Sequence, residues 1–586
     1  MKVMQHVYKK VDKMKLIDKI KKKLKKENHI WDKFYTKDKR TVEIPNMSLY
    51  EYIYNQNKDR QENIALNYFN KKISYKDLFI QIDLCAKAMR SQGIREGDVV
   101  SVCMANTPEA VISFYAINKI GAIVNMIHPL SAEEELKHSL VVTKSVMLIA
   151  INLTYKKIKN IIEDTSVYKT VIVSPRDSMP KMLGIGYYLL KDRKIEVPKS
   201  NEKYIRWNAF INKGYGYNAK VLVKTTKNQP AVILHSGGTT GVPKNILLSN
   251  GNINVVVGQA QISLPDLDET DKMLTILPLF HCFGLVETLH FPLGTGGCAI
   301  LIPKFDATKF DKLITKYKPT VIPGVPTLFE AMIKNKNMSK VDFSNVKYVV
   351  SGGDTLPAEK NEEVNKFLKQ HNFKKTIVQG YGMTETSGGC VFATDGADKL
   401  GSSGIPLVGN DLKIINLETR KECQPYEKGE IMISGPSVML GYLDNEEETN
   451  GILEKDKKGK IWVHTGDMGY INEDGLLFFV QRIKRLIIVS GYNVFPSHIE
   501  DVLNKHEAIL SSCVVGIPHP YKTQVPKAYI VLKENYKPNH KIKKEIQEYC
   551  EKNLSKYMIP KEFEYRESLP KTMIGKVDYR KLEEEK

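Results

Sequence analysis

The chain has 586 residues with 87 Lys and Arg against 67 Asp and Glu, a formal charge of +20, and 42% hydrophobic residues. That length predicts two or more domains, and the composition excludes a disordered or membrane-spanning chain, since no apolar run approaches the ~20 residues a spanning helix needs. The eight cysteines are scattered without a CxxC pair, which argues against zinc or a disulfide framework, and the missing signal-peptide core completes an expectation of a reducing cytoplasm.

The first stretch, "MKVMQHVYKKVDKMKLIDKIKKKLKK", sets Met4, Val7, Val11, Met14, Ile17 and Leu24 at helical spacing among lysines. Residues 1–27 therefore read either as a basic amphipathic helix in peripheral contact with the inner membrane surface, or as a solvated tail or self-packed helix. We assign 1–30 to an N-terminal extension, 31–482 to a large domain and 483–586 to a small C-terminal one. From 48 to 125, "SLYEYIYNQ" predicts a helix, "ISYKDLFIQIDLCAKAMRSQG" a turn and long helix, and "GDVVSVCM" a buried strand. Residues 155–225 are the least readable. From 230 to 385 short apolar runs such as "AVILH", "MLTILP" and "VKYVVSGG" alternate with helical stretches. The fold class is thus α/β, with helix-covered parallel sheets. Closely spaced strands from about 400 to 482 predict a small barrel-like antiparallel part, and the last hundred residues a separate α+β domain. The lysine excess comes with abundant Asn and Ile and without an RNA-recognition motif, zinc finger or aromatic–basic face, so no nucleic acid is expected as a partner.

The segment "HSGGTTGVPK" (235–244) follows an apolar run and invites a phosphate reading. It is not a Walker A loop, because Val242 and Pro243 separate Gly241 from Lys244 and Asn245 follows; nor does it fit GxGxxG. What remains is a glycine-rich loop whose backbone N–H groups, Thr239 and Thr240 hydroxyls and Lys244 could wrap a triphosphate.

Its companions narrow the reading: "PLFHCFG" (278–284), "SGGDTLP" (351–357), "YGMTET" (381–386), "HTGDMG" (464–469), "RIKRLIIVSGYNVFPSHIE" (482–500) and "PKTMIGKVDYR" (570–580). In order, spacing and wording these resemble the adenylate-forming superfamily over residues 48–580, most of all its medium- and long-chain fatty acyl-CoA ligases. The resemblance implies a two-step reaction with ATP, magnesium (Mg²⁺) and coenzyme A. A carboxylate attacks the α-phosphate to give acyl-adenylate and pyrophosphate, and a thiol then displaces AMP.

The resemblance also implies roles. Gly238, Thr239, Thr240, Gly241 and Lys244 would grip the β- and γ-phosphates. Tyr381 would stack on adenine beside Gly352, Gly353 and Asp354. Thr384 would touch the α-phosphate, Glu385 would hold the metal, Asp467 would accept from the ribose, and Arg482 would assist at ribose or phosphate. Lys576 would carry the first step, and His281, with Phe283 and Gly284, would stand where the acid enters. Lys484 takes the hinge place about which family members rotate a mobile C-terminal domain, after which Ser490, Gly491 and Tyr492 would line the pantetheine path.

Some positions depart from the family pattern: Gly237 for serine, Asn245 for glycine, Gln481 before Arg482, and Arg485 where Asp is frequent. Gly388 and Gly389 are expected to leave room for a longer acyl tail. Two alternatives stay open: loading of a carrier-protein pantetheine instead of CoA, and a non-catalytic binding protein of the same fold.

Overall fold

A computed structural model of the protein describes residues 29–36, 39–236, 244–489, 492–572 and 576–585. The basic N-terminal stretch, Gly238, Thr239, Thr240, Gly241, Ser490 and Gly491 lie outside the described residues.

Two large mixed sheets form the body. In the eight-stranded one, Val99–Cys103, Ile123–Met126, Met147–Ile151, Lys169–Val173, Tyr204–Arg206 and Pro230–Ser236 run parallel, and Lys244–Ser249 then Gly441–Tyr442 close one edge antiparallel. In the nine-stranded one, Ile64–Tyr68, Cys298–Leu301, Lys272–Thr275, Val321–Gly324, Tyr348–Ser351 and Val378–Met383 are parallel neighbours, with antiparallel strands only at the two ends. The sequence explains the arrangement. Runs such as "MLIAI", buried at every position, cannot have a wet face, so helices must cover both sides.

The covering helices start where the sequence supplies caps. Ser74 caps Tyr75–Ser91 by accepting the Asp77 amide, and Thr107 caps Pro108–Lys119 by accepting the Ala110 amide, with proline in the first turn. All of Pro108–Lys119 is buried, as expected of a helix without a polar face.

A third, five-stranded antiparallel sheet (Asp411–Ile415, Gly429–Ser434, Leu453–Lys455, Ile461–Ile471, Leu477–Arg482) packs around Trp31, Tyr381 and Leu477. From Arg482 the chain passes through a 3-10 turn, Ile483–Arg485, into the fourth sheet, whose strands run from Ile487 to Tyr565 with helices Pro496–Asn504 and His540–Asn553 against it.

The segment that resisted reading proves to be regular: helix Tyr155–Ile161, strand Lys169–Val173, helix Lys181–Leu190, strand Tyr204–Arg206 and helix Trp207–Tyr215. Its obscurity has a cause. "KMLGIGYYLL" is apolar at most positions, yet it buries only Gly184.

All eight cysteines are free; seven are buried and Cys298 is half-buried. Burial raises the thiol pKa of each.

Candidate active site

The carboxyl ends of the parallel strands open into a cavity of about 1150 Å³ that both the large sheets and the C-terminal part border. Such strand ends are where open α/β sheets place ligands. Strand Tyr348–Ser351 delivers Gly352, Gly353 and Asp354; strand Val378–Met383 delivers Tyr381 and, one turn on, Thr384 and Glu385. Gly352 is a packing requirement, since a Cβ there would come within 2.9 Å of the Phe283 ring. Gly353 has φ +78°, a backbone conformation that favours glycine.

The loop 237–243 joins Pro230–Ser236 to Lys244–Ser249, two antiparallel strands with Ser236 opposite Lys244. That pairing puts Lys244 at the cavity edge, where its Nζ pairs with Glu448 at 2.9 Å and lies 4.6 Å over the Tyr442 ring. Tyr442 in turn donates its hydroxyl to Glu385 Oε1 at 3.0 Å. Burial raises the Glu385 pKa despite that bond, so this carboxylate gains from any cation brought beside it.

Tyr381 and Asp467 are brought together: the tyrosine hydroxyl donates to Asp467 Oδ2 at 2.9 Å. The other oxygen, Oδ1, is buried with no hydrogen bond among the described residues and faces Arg482 Nε at 3.5 Å. Burial pushes the Asp467 pKa up while Arg482 pulls it down. An unfilled acceptor of this kind suits an incoming hydroxyl.

Lys576 comes from the opposite side. Its backbone and Thr572 bond each other within the C-terminal part, while its ammonium is felt by Asp354, Arg482 and Asp467 of the body. Burial lowers its pKa, and the two carboxylates partly offset that. Burial and the nearby Lys576 push His281 down to about 4, so the imidazole is neutral near neutral pH. His281, Phe283, Thr384, Glu385, Arg482, Lys484 and Lys576 all border the one cavity. Tyr492 opens strand Tyr492–Val494.

Some participants carry no motif in the sequence. Tyr442 and Glu448 sit in "GYLDNEEET", and only the sheet edge at Gly441–Tyr442 brings them to Lys244. Glu287 is the larger surprise. It accepts the Gly389 amide at 2.6 Å, has no partner for Oε2 among the described residues, and is pushed up to about 8 by burial. A Cβ on Gly388 would lie 1.9 Å from Glu287 Oε1. The space beside the two glycines, expected to lengthen an acyl channel, is thus occupied by the Glu287 carboxyl. The one hint was a lone acid in the apolar run "GLVETLHFPLG". Apolar walls come instead from Val256, Ala260, Leu264, Met273 and Phe291.

The departures from pattern also find partners. Gln481 Oε1 accepts from the Ser497 hydroxyl at 3.1 Å and its amide at 3.4 Å, and Arg485 pairs with Glu500.

Comparison with known proteins agrees with this geometry. The AMP-binding enzyme model matches residues 53–443, and the AMP-binding enzyme C-terminal domain model matches 498–576. A long-chain-fatty-acid–CoA ligase of Bacillus subtilis is 32% identical over 548 residues, 92% of this chain and 95% of that protein. A probable 4-coumarate–CoA ligase 2 of Dictyostelium discoideum is 34% identical over 459 residues, 78% of this chain and 80% of that protein. In fold, ATP-bound MatB from Rhodopseudomonas palustris superposes with a TM-score of 0.79 at 22% identity, covering 92% of this chain and 98% of that one. The chain belongs to the AMP-binding enzyme family, within the adenylate-forming superfamily.

Proposed function

We propose that the protein is an ATP-dependent acid–thiol ligase that activates a medium- or long-chain fatty acid as its acyl-adenylate and passes the acyl group to coenzyme A, releasing AMP and pyrophosphate. The observation that carries the reading is Lys576: an ammonium bordering the cavity, within electrostatic reach of His281, Asp354, Asp467 and Arg482. A cation in that position can meet both a carboxylate and a phosphate, and attack on phosphorus depends on positioning and charge stabilisation rather than covalent help. The apolar cavity walls and the resemblance to a long-chain-fatty-acid–CoA ligase support the acid class.

In this reading Lys244 leaves Glu448 for the β- and γ-phosphates, beside Gly238, Thr239, Thr240 and Gly241. Tyr381 forms the adenine wall with Gly352, Gly353 and Asp354. Asp467 offers its free oxygen to a ribose hydroxyl, Arg482 balances the charge there, and Thr384 donates to the α-phosphate. Neutral His281 flanks the acid without adding charge. Glu385 fits a magnesium ion, being a carboxylate oxygen donor at the cavity; the ion supplies phosphate neutralisation when bound. We assign 31–482 to the nucleotide-binding domain and 483–586 to a lid. Rotation at Lys484 would withdraw Lys576 and present Ser490, Gly491 and Tyr492 to the pantetheine.

ATP–pyrophosphate exchange across a panel of saturated, aryl and short acids tests the reading, followed by transfer to CoA or to a holo-carrier protein. Exchange with saturated acids and transfer to CoA is the expected result. Exchange only with aryl acids would overturn the acid class, transfer only to the carrier would overturn the acceptor, and no exchange with any acid would leave a binding protein.

A further inference from the structure

Helix Lys181–Leu190 turns an apolar face away from the molecule. Met182 is 83% exposed, Ile185 57%, Leu189 50% and Leu190 73%. Counted from Met182 these stand at i, i+3, i+7 and i+8, one side of a helix, and Leu183 widens the strip. The opposite side is anchored. Gly184 is buried facing Arg176 and Met179, Tyr187 packs on the main core, and the Arg176 guanidinium covers the Tyr188 ring at 4.6 Å. The helix is therefore fixed in orientation while its most apolar side meets water.

Its border is cationic. Lys181, Lys191, Arg193 and Lys194 are exposed around it. The acids nearby are already engaged: Asp192 is only 6% exposed and is taken up by Asn152, Ser174 and Arg176, Asp177 accepts the Ser174 amide, and the exposed Glu196 is paired with Lys159 at 2.7 Å. Contiguous exposed apolar surface marks an interaction site. A two-fold contact with a second copy would press two cationic borders together. An anionic lipid surface complements both features, taking the apolar side chains at the acyl boundary and the cations at the headgroups.

We infer that Lys181–Leu190 is a membrane-docking helix that seats the protein on anionic phospholipid, lying in the interface rather than crossing it. No described helix is long and apolar enough to cross a membrane. The inference goes beyond the ligase reading, and its test needs no turnover.

Co-sedimentation of the full chain with phosphatidylcholine vesicles, with and without phosphatidylglycerol, tests it. The wild type is expected to bind the anionic vesicles at least tenfold better than the neutral ones, and less as salt rises. The pair Met182→Asp with Leu190→Asp removes no packed side chain and should lower that binding at least tenfold at unchanged melting temperature. Lys191→Glu with Lys194→Glu should lower anionic binding alone. Equal binding to both vesicle types would overturn the inference, as would wild-type binding by the Asp pair, which would move attachment to another segment such as residues 1–28. A wild-type dimer that the Asp pair converts to monomer, without vesicle binding, would overturn it in favour of a self-interface.

Discussion

Glu287 holds the Gly389 amide at 2.6 Å, and Gly388 beside it has room for a hydrogen but not for a methyl. Gly388→Ala is expected to destabilise the protein by about 1–3 kcal/mol, from overpacking together with a φ of +101°. Combining it with Glu287→Ala should recover part of the loss, because the clash is with that side chain. Denaturant melts of both single variants and the pair would show the coupling; full additivity would contradict the contact.

The same carboxyl makes stability depend on pH. Its folded pKa is raised to about 8, above that of an unfolded glutamate, so the native state holds a proton the unfolded chain has released. Its contribution is full below about pH 4.5 and is lost as pH rises through about 8, with a slope of at most ~1.4 kcal/mol per pH unit. Glu287→Gln should flatten that part of the stability profile relative to wild type. Parallel wild-type and variant profiles from pH 5 to 8 would count against it.

Lys576→Ala should depress adenylation about 100-fold or more while thioester formation from preformed acyl-adenylate persists. Pyrophosphate exchange and single-turnover transfer measure the halves separately. Equal loss of both would remove Lys576 from the first step.

Lys244 is paired with Glu448 before any phosphate arrives, and both side chains are partly exposed, at 25% and 39%. Such pairs are worth about 0.2–1 kcal/mol. Glu448→Gln should therefore tighten ATP by no more than about five-fold, and Lys244→Ala should weaken it. An ATP affinity that falls in Glu448→Gln would show the pair to be preorganising rather than competing.

Gln481 ties the end of the large body to the first turn of helix Pro496–Asn504 through Ser497. If the C-terminal part rotates between half-reactions, this tie must break. Gln481→Gly is expected to speed thioester formation a few-fold relative to adenylation, read in the same two assays; an unchanged ratio would make the contact incidental.

The parallel sheets were legible because apolar runs such as "GDVVSVCM" and "VKYVVSGG" alternate with helical stretches, and Lys576, Asp467 and Tyr381 were nameable as candidates because each sits in a worded motif. Glu448 and Tyr442 were not: their meeting with Lys244 depends on a two-residue strand pairing at a sheet edge, which no local pattern encodes. Gly388 and Gly389 misled in an instructive way. Small residues announce space, but what fills it is decided by a helix about a hundred positions away. The helix Lys181–Leu190 lay in the stretch that could not be read, since hydropathy alone cannot tell a core face from one turned outward.

The state of the cysteines has a practical side. With all eight free, seven of them buried and their thiols held protonated, the folded protein offers little thiolate to an aromatic disulfide reagent. A colorimetric count of free thiol during turnover would therefore report the acceptor being consumed, with little background from the catalyst.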